Sequence, residues 1–251
     1  MSNGIVSSIT RGGQYEPFEL QISRSQIQGH STVNIYGFQS AVTTTQIPLW
    51  ENATAYTFPS SAVVMTLASS SASDTAVKIT VNGLDASYNV ISESVTLNGT
   101  TGVNTVNSYL RINSLITNSG NAVGTVTAKN GGTTYAQITI GFGRSLMSIY
   151  TVPNGYDFYL ARVDANSSFN GNNTNYLFYQ NTSVNASGVI ITTTKAPFTT
   201  NYSVRRVMPR KYSAKTDLQF LFNTNAGTAA VNVGIEGYLI ASDVLTTQPG
   251  Q

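Results

Sequence analysis

Few residues in this 251-residue chain could carry out chemistry. His30 is the sole histidine, in Gln28-Gly29-His30-Ser31, with Ser25 and Ser31 close by. A nucleophilic triad needs a histidine held by a buried carboxylate on a rigid support. The glycine-punctuated stretch around His30 offers no such support, so an ordinary surface or interface side chain is expected there. Glycoside hydrolysis needs a pair of carboxylates, and the chain has 11 acidic residues in all. Asp74, Asp85 and Glu93 lie near one another in sequence, but Asp85 falls in a turn and Glu93 on the polar face of a strand. From Asp164 to Gly171, oxygen-bearing side chains alternate as in a calcium loop. Phe169, however, stands where the sharp turn needs glycine, and Asn175 where the loop closes on glutamate. The absence of cysteine removes disulfides, thiolate nucleophiles and cysteine-based zinc sites together. The residue types point to no catalytic residue, no metal, no cofactor and no enzyme.

One charge feature remains. Arg205, Arg206, Arg210, Lys211 and Lys215 are five of the chain's 13 Lys and Arg, with Tyr202 and Tyr212 nearby. Such a cluster can contact nucleic acid, dock on an acidic protein surface, or form a solvated loop that keeps a sheet edge from aggregating. Pro209 fits a loop in the last two cases. The formal net charge of +2 argues against a general polyanion-binding surface. These five residues are the candidate partner-binding set, and nucleic acid is not the expected partner.

The elements that must position them are strands. Val77, Ile79 and Val81 alternate with Lys78, Thr80 and Asn82, and Ile91, Glu93, Val95 and Leu97 share one side of the next run. Period-two spacing puts the aliphatics on one face of a sheet and Thr, Ser and Asn on the other. Asn98-Gly99 is a tight-turn pair, because both residues tolerate positive φ. Charged residues are 10% of the chain against a usual value of about 25%. No amphipathic helix of three turns is present, and nowhere do 18 apolar residues run together.

This pattern predicts an all-β chain of two tandem antiparallel β-sandwich domains with an extended N-terminal arm. Residues 1–48 form the arm, 49–143 an immunoglobulin-like first sandwich, and 144–251 a second sandwich of jelly-roll or Greek-key type. In the arm, Leu20, Ile22 and Ile27 read as one short extended piece and Val33, Ile35 and Phe38 as another. The lone Trp50 reads as a core anchor. Tyr56-Thr57-Phe58-Pro59 matches Tyr150-Thr151-Val152-Pro153 at three of four positions, which would align the starts of two distant copies. The N-terminus has no apolar core of signal-peptide length, and the Asn-x-Ser/Thr sequons follow from the abundance of those residues.

Several segments in one order resemble a group of virion structural proteins of tailed bacteriophages, of the marine and cyanobacterial phage type. They are FELQISRSQIQGHSTVNIYGFQSAV at 18–42, WENATAYTFP at 50–59, SSSASDTA at 69–76, SESVTLNGTT at 92–101, SYLRIN at 108–113 and MSIYTVPNG at 147–155. The likeness spans nearly the whole chain. It departs after Thr75, where Ala76-Val77-Lys78 follows at once in place of a longer glycine-containing connection. The resemblance implies a particle component assembled in the host cytoplasm, with no catalytic residues to carry over. The expected role is capsid decoration or cement, or a head-tail accessory. The alternative is a receptor-binding (host glycan) module of a tail or head fibre, using the Tyr and Asn between Tyr176 and Asn185. Expected partners are other virion proteins, major capsid or neck and tail, and further copies of the chain; no membrane is expected.

Overall fold

The computed structural model describes residues 10–11, 14–169 and 174–243. In chain order the strands are β1 (Thr10–Arg11), β2 (Gln14–Tyr15), β3 (His30–Val42), β4 (Ile47–Pro48), β5 (Val63–Ser69), β6 (Lys78–Leu84), β7 (Val90–Thr96), β8 (Val103–Tyr109) and β9 (Arg111–Ser119). They continue as β10 (Val126–Asn130), β11 (Thr133–Ile138), β12 (Ile149–Thr151), β13 (Tyr156–Ser167), β14 (Leu177–Val184), β15 (Ile190–Phe198), β16 (Asn201–Tyr212), β17 (Asp217–Thr224) and β18 (Ala229–Ala241). Among the described residues one short helix, α1 (Phe18–Ser23), lies between β2 and β3. The protein is nearly all β, and every ladder is antiparallel, as the alternation predicted.

Two buried clusters organise these strands. In the first sandwich, a sheet of order β11-β10-β5-β8 faces a sheet of order β7-β6-β9. Trp50, Met65, Leu67, Ile79, Val81, Tyr109 and Leu115 are buried between them. Trp50 is a core residue, its ring set edge-on to Tyr56 at 5.2 Å and its indole N–H bonded to the Thr54 carbonyl. The second sandwich places a sheet of order β16-β13-β18-β3 over one of order β12-β17-β14-β15, with Phe158, Leu160, Tyr179, Phe220 and Phe222 between. β4 pairs with β17 on the same edge as β12.

The stretch expected as a free arm folds differently in two places. Around Ile22 the chain is helical rather than extended. Pro17 precedes the first turn, the Ser23 hydroxyl bonds back to the Glu19 carbonyl, and Arg24 pairs with Glu16 at 2.6 Å. The apolar spacing there follows a helical turn, which a run this short hides. β3 is a full member of the second sandwich, paired with β18 from Ala229↔Val42 to Ile240↔His30. It is anchored by Ile35, Gln39 and Val42, all buried. Gly37 reads in sequence as an interruption, yet it lies mid-strand: a Cβ there would come within 2.7 Å of the Ser148 Cβ and 3.0 Å of the Leu49 Cβ.

The two sandwiches use one pairing scheme twice. β5 lies between β8 and β10 as β13 lies between β16 and β18. β6 lies between β7 and β9 as β14 lies between β15 and β17. β11 completes the first outer sheet against β10, and β3 does the same against β18. The β6–β7 and β14–β15 turns match atom for atom. Asp85 accepts the amides of Ser87 and Asn89 at 2.8 and 2.9 Å, and Asn185 those of Ser187 and Val189 at 3.0 and 2.9 Å. Tyr88 and Gly188 take the positive-φ position, at 65° and 77°. The paired Tyr-Thr-x-Pro segments precede the counterpart strands β5 and β13.

Gly83 on β6 packs directly beneath β9 and the Tyr109 ring, and a Cβ there would collide with the Arg111 carbonyl oxygen. Gly83→Ala is expected to lower the unfolding free energy by about 2 kcal/mol or more, since backbone cannot move aside as a flexible side chain does. Urea denaturation checks this.

Candidate partner-binding edge and the joint between the sandwiches

A buried ion pair joins the two halves. Arg111 opens β9 and Asp217 opens β17, counterpart positions in the pairing scheme: each faces the end of the strand beside it, Leu84 and Val184. Their side chains meet as a two-point pair, Nε to Oδ1 and Nη2 to Oδ2, both 2.8 Å. The remaining Arg111 donors go to the carbonyls of Pro59 (2.9 Å) and Leu110 (2.8 Å) and to the Tyr88 hydroxyl (3.3 Å). Phe58 and Tyr88 cover the guanidinium, with ring centres 4.7 and 5.4 Å from Cζ. Thr151 donates its hydroxyl to Asp217 at 2.6 Å, and its backbone exchanges two bonds with the Asn113 amide. Burial pulls the Arg111 pKa down, but the Asp217 hydrogen bond and charge outweigh it, so the net shift is upward. A bidentate, fully bonded pair is the form in which burial of two charges is tolerated.

The basic set is distributed as follows. Arg205, Arg206, Arg210 and Lys211 all lie on β16, which is a strand and not the loop expected around Pro209. Among the described strands it is an edge strand, paired with β13. Alternation of half-buried Tyr202, Val204 and Arg206 with exposed Ser203, Arg205 and Val207 makes the pleat. The charges hid it: two cations and a proline interrupt the apolar period. Pro209 is accommodated because the ladder skips there, passing from Leu160↔Arg210 to Arg162↔Arg205. The pleat separates the cations. Arg205 is 80% exposed at its side chain, 3.7 Å from Glu19 of α1. Lys211 bonds Asp157 at 2.8 Å, which raises its pKa. Arg206 turns toward Thr194 of β15, and Arg210 lies against the Tyr212 ring. Lys215 is set apart, in a positive-φ turn beside Tyr88 at the joint.

The other candidates serve structure. His30 opens β3, its Nδ1 3.0 Å from the Gln28 carbonyl. Buried Asp74 accepts the Ser69 hydroxyl and the amides of Val123 and Gly124. Burial pushes its pKa up, but these hydrogen bonds prevail and hold it below the ordinary value. The Asp85 carboxyl is also lowered, chiefly by the Asn89 amide. Glu93 accepts the amides of Val106 and Asn107 and so ties β7 to β8 across the sandwich. Between Tyr176 and Asn185, β14 turns Tyr179, Asn181 and Ser183 inward. Beside them a cavity of about 350 Å³ is lined by Ser183, Ser187, Thr193, Arg210 and Tyr212. The loop read against the calcium pattern runs beyond Phe169 outside the described residues. Among the described residues no cluster of three His, Asp or Glu could hold a metal ion, and no helix is long and apolar enough to cross a membrane.

No family model matches the chain, and no curated protein matches it. A solved structure of the Gx strain of infectious bursal disease virus aligns at 11% identity over 85% of this chain and 71% of that one, with a TM-score of 0.20. A VP2 subviral particle of the same virus aligns at 10% identity over 88% and 83%, with a TM-score of 0.14. Scores this low carry no argument about this chain, and the phage resemblance rests on its sequence segments alone.

Two outcomes follow from the buried groups. Asp217→Asn leaves the Arg111 charge uncompensated at the joint and is expected to cost about 3–5 kcal/mol in urea denaturation. Because the folded-state pKa of Asp74 is depressed, its contribution is present above the unfolded value and is lost as pH falls through the folded one. The slope of stability against pH in acid should therefore flatten in Asp74→Asn.

Proposed function

We propose that this chain is a non-enzymatic structural protein of a tailed-bacteriophage particle, attached as capsid decoration or cement or as a head-tail accessory. The observation that carries the reading is the edge strand β16. It presents Val207 and Met208 at 99% and 86% exposure between Arg205 and Arg210. An apolar tip between cations suits a docking contact in which opposite charge sets the register and burial of the tip adds affinity. The ordered sequence segments that resemble virion proteins support the same reading. A homo-oligomer and contacts to major capsid or neck and tail proteins belong to it as well. A second reading, recognition of a host glycan, is favoured by the hydroxyl-lined cavity between the Asn185 turn and Tyr212.

Quantitative mass spectrometry of purified particles tests the proposal. A copy number comparable with the major capsid protein is expected for shell decoration, and a few copies for the neck or a fibre, where the glycan reading would apply. Particles carrying Arg205→Glu with Arg206→Glu should lose the protein, most completely at low salt, where electrostatic attraction is least screened. Full occupancy at every salt concentration removes the role assigned to this edge, and absence of the wild-type chain from particles removes the proposal.

A further inference from the structure

Since one pairing scheme is used twice, each edge has a counterpart, and differences in charge between counterparts are informative. β8 and β16 are counterparts, and both bulge in mid-ladder. In β8 the pairs Val64↔Ser108 and Thr66↔Asn104 enclose Thr105, Val106 and Asn107. In β16 the pairs Leu160↔Arg210 and Arg162↔Arg205 enclose Arg206, Val207, Met208 and Pro209. Each bulge puts apolar side chains into solvent, Val106 at 93% exposure and Val207 with Met208 in the second.

The first bulge is closed by a carboxylate of the chain itself. Glu93 Oε1 accepts the Val106 amide at 2.9 Å and Oε2 the Asn107 amide at 2.8 Å. Counting residues from the matched turns, Leu84↔Val90 and Val184↔Ile190, the counterpart of Glu93 is Thr193, which β15 carries in a bulge between Thr182↔Thr192 and Asn181↔Thr194 and turns toward the Tyr212 hydroxyl. A threonine cannot span two amides across that gap, and its hydroxyl is spent on Asn181 at 2.7 Å. The surroundings change in the complementary sense. Counting back from the counterpart tyrosines Tyr109 and Tyr212, Arg210 and Lys211 replace neutral Asn107 and Ser108. The second edge therefore keeps the bulge, gains cations and loses the built-in carboxylate.

We infer that the Arg206–Pro209 bulge takes a carboxylate from a glutamate or aspartate side chain of a partner protein, in the manner that the first bulge takes Glu93. The donors are the amides of Val207 and Met208 and the guanidinium of Arg210; Pro209 has no N–H to offer. The Val207–Met208 tip enters an apolar hollow beside that acidic residue. This inference rests on the attachment reading and names the chemistry of its partner.

The test uses the full chain, with capped hexaglutamate and hexaglutamine peptides as probes and backbone amide NMR as readout. Hexaglutamate is expected to shift the Val207 and Met208 amides, and hexaglutamine to leave them in place. Thr193→Glu supplies the missing carboxylate from within and should weaken hexaglutamate binding about tenfold or more, the loss of one charge-assisted contact. If Thr193→Glu unfolds the second sandwich, Arg210→Gln takes its place and must reduce the same shifts. Equal shifts with both peptides, shifts confined to other surfaces, or binding unchanged in the folded variant would overturn the inference. Particle occupancy separates it from the reading beneath it. Loss of attachment in Arg205→Glu with Arg206→Glu, but normal attachment in Thr193→Glu, keeps the attachment and removes the carboxylate. Hexaglutamate binding by a chain absent from particles does the reverse.

Discussion

The two-point pair between Arg111 and Asp217 is the constraint on which the rest of the molecule depends. Each residue begins the counterpart strand of its own sandwich, so the contact joins like position to like position across the joint. Every guanidinium N–H has an acceptor, and both carboxylate oxygens are occupied. Such a pair contributes little net free energy against a well-packed apolar alternative, but it tolerates only one geometry. It therefore acts as a register pin. Asn113 with Thr151, and Ser148 bridging the Leu49 amide and the Phe220 carbonyl, extend the same pin along β12.

The repeated pairing scheme explains why the halves can meet this way. Two copies of one sandwich placed with like edges together resemble a two-fold dimer whose subunits share a chain. A homodimer must use the same residue on both sides of its axis, and two arginines or two aspartates there would repel. A fused pair escapes that restriction, with arginine in one copy and aspartate in the other. The edges away from the joint are equally free to differ, as Glu93 and Thr193 do.

Much of this was legible in the sequence, and the exceptions have physical causes. The alternation of Val77 to Val81 and Ile91 to Leu97 marked strands with one wet face, and β6 and β7 are those strands. β16 escaped because its inward positions include Arg206 and its bulge includes Pro209, so period two is broken where the strand itself is broken. α1 escaped because six residues are too few to show a helical period. The pairing of β3 with β18 joins segments at opposite ends of the chain, and no local pattern encodes it. Of the cationic set, spacing brought four residues together on one strand but could not reveal that the pleat divides them, nor that Lys215 belongs to the joint. The importance of Glu93 was invisible because its partners are backbone amides, which every sequence contains.

The origin of the fourth strand in each outer sheet sets the order in which the chain can fold during synthesis. β11 follows β10 directly, so the first sandwich can close while the remainder is still being made. β3 leaves the ribosome before the rest of either sandwich and waits for β18, the last of the described strands to emerge. Until then it carries Ile35 and Val42 on an unpaired ladder, a segment open to association with other nascent chains. Contacts between β3 and β18, far apart in sequence, also raise the contact order of the second sandwich well above that of the first. Nearly identical architectures should thus mature on different timescales, the N-terminal one with translation and the C-terminal one after it.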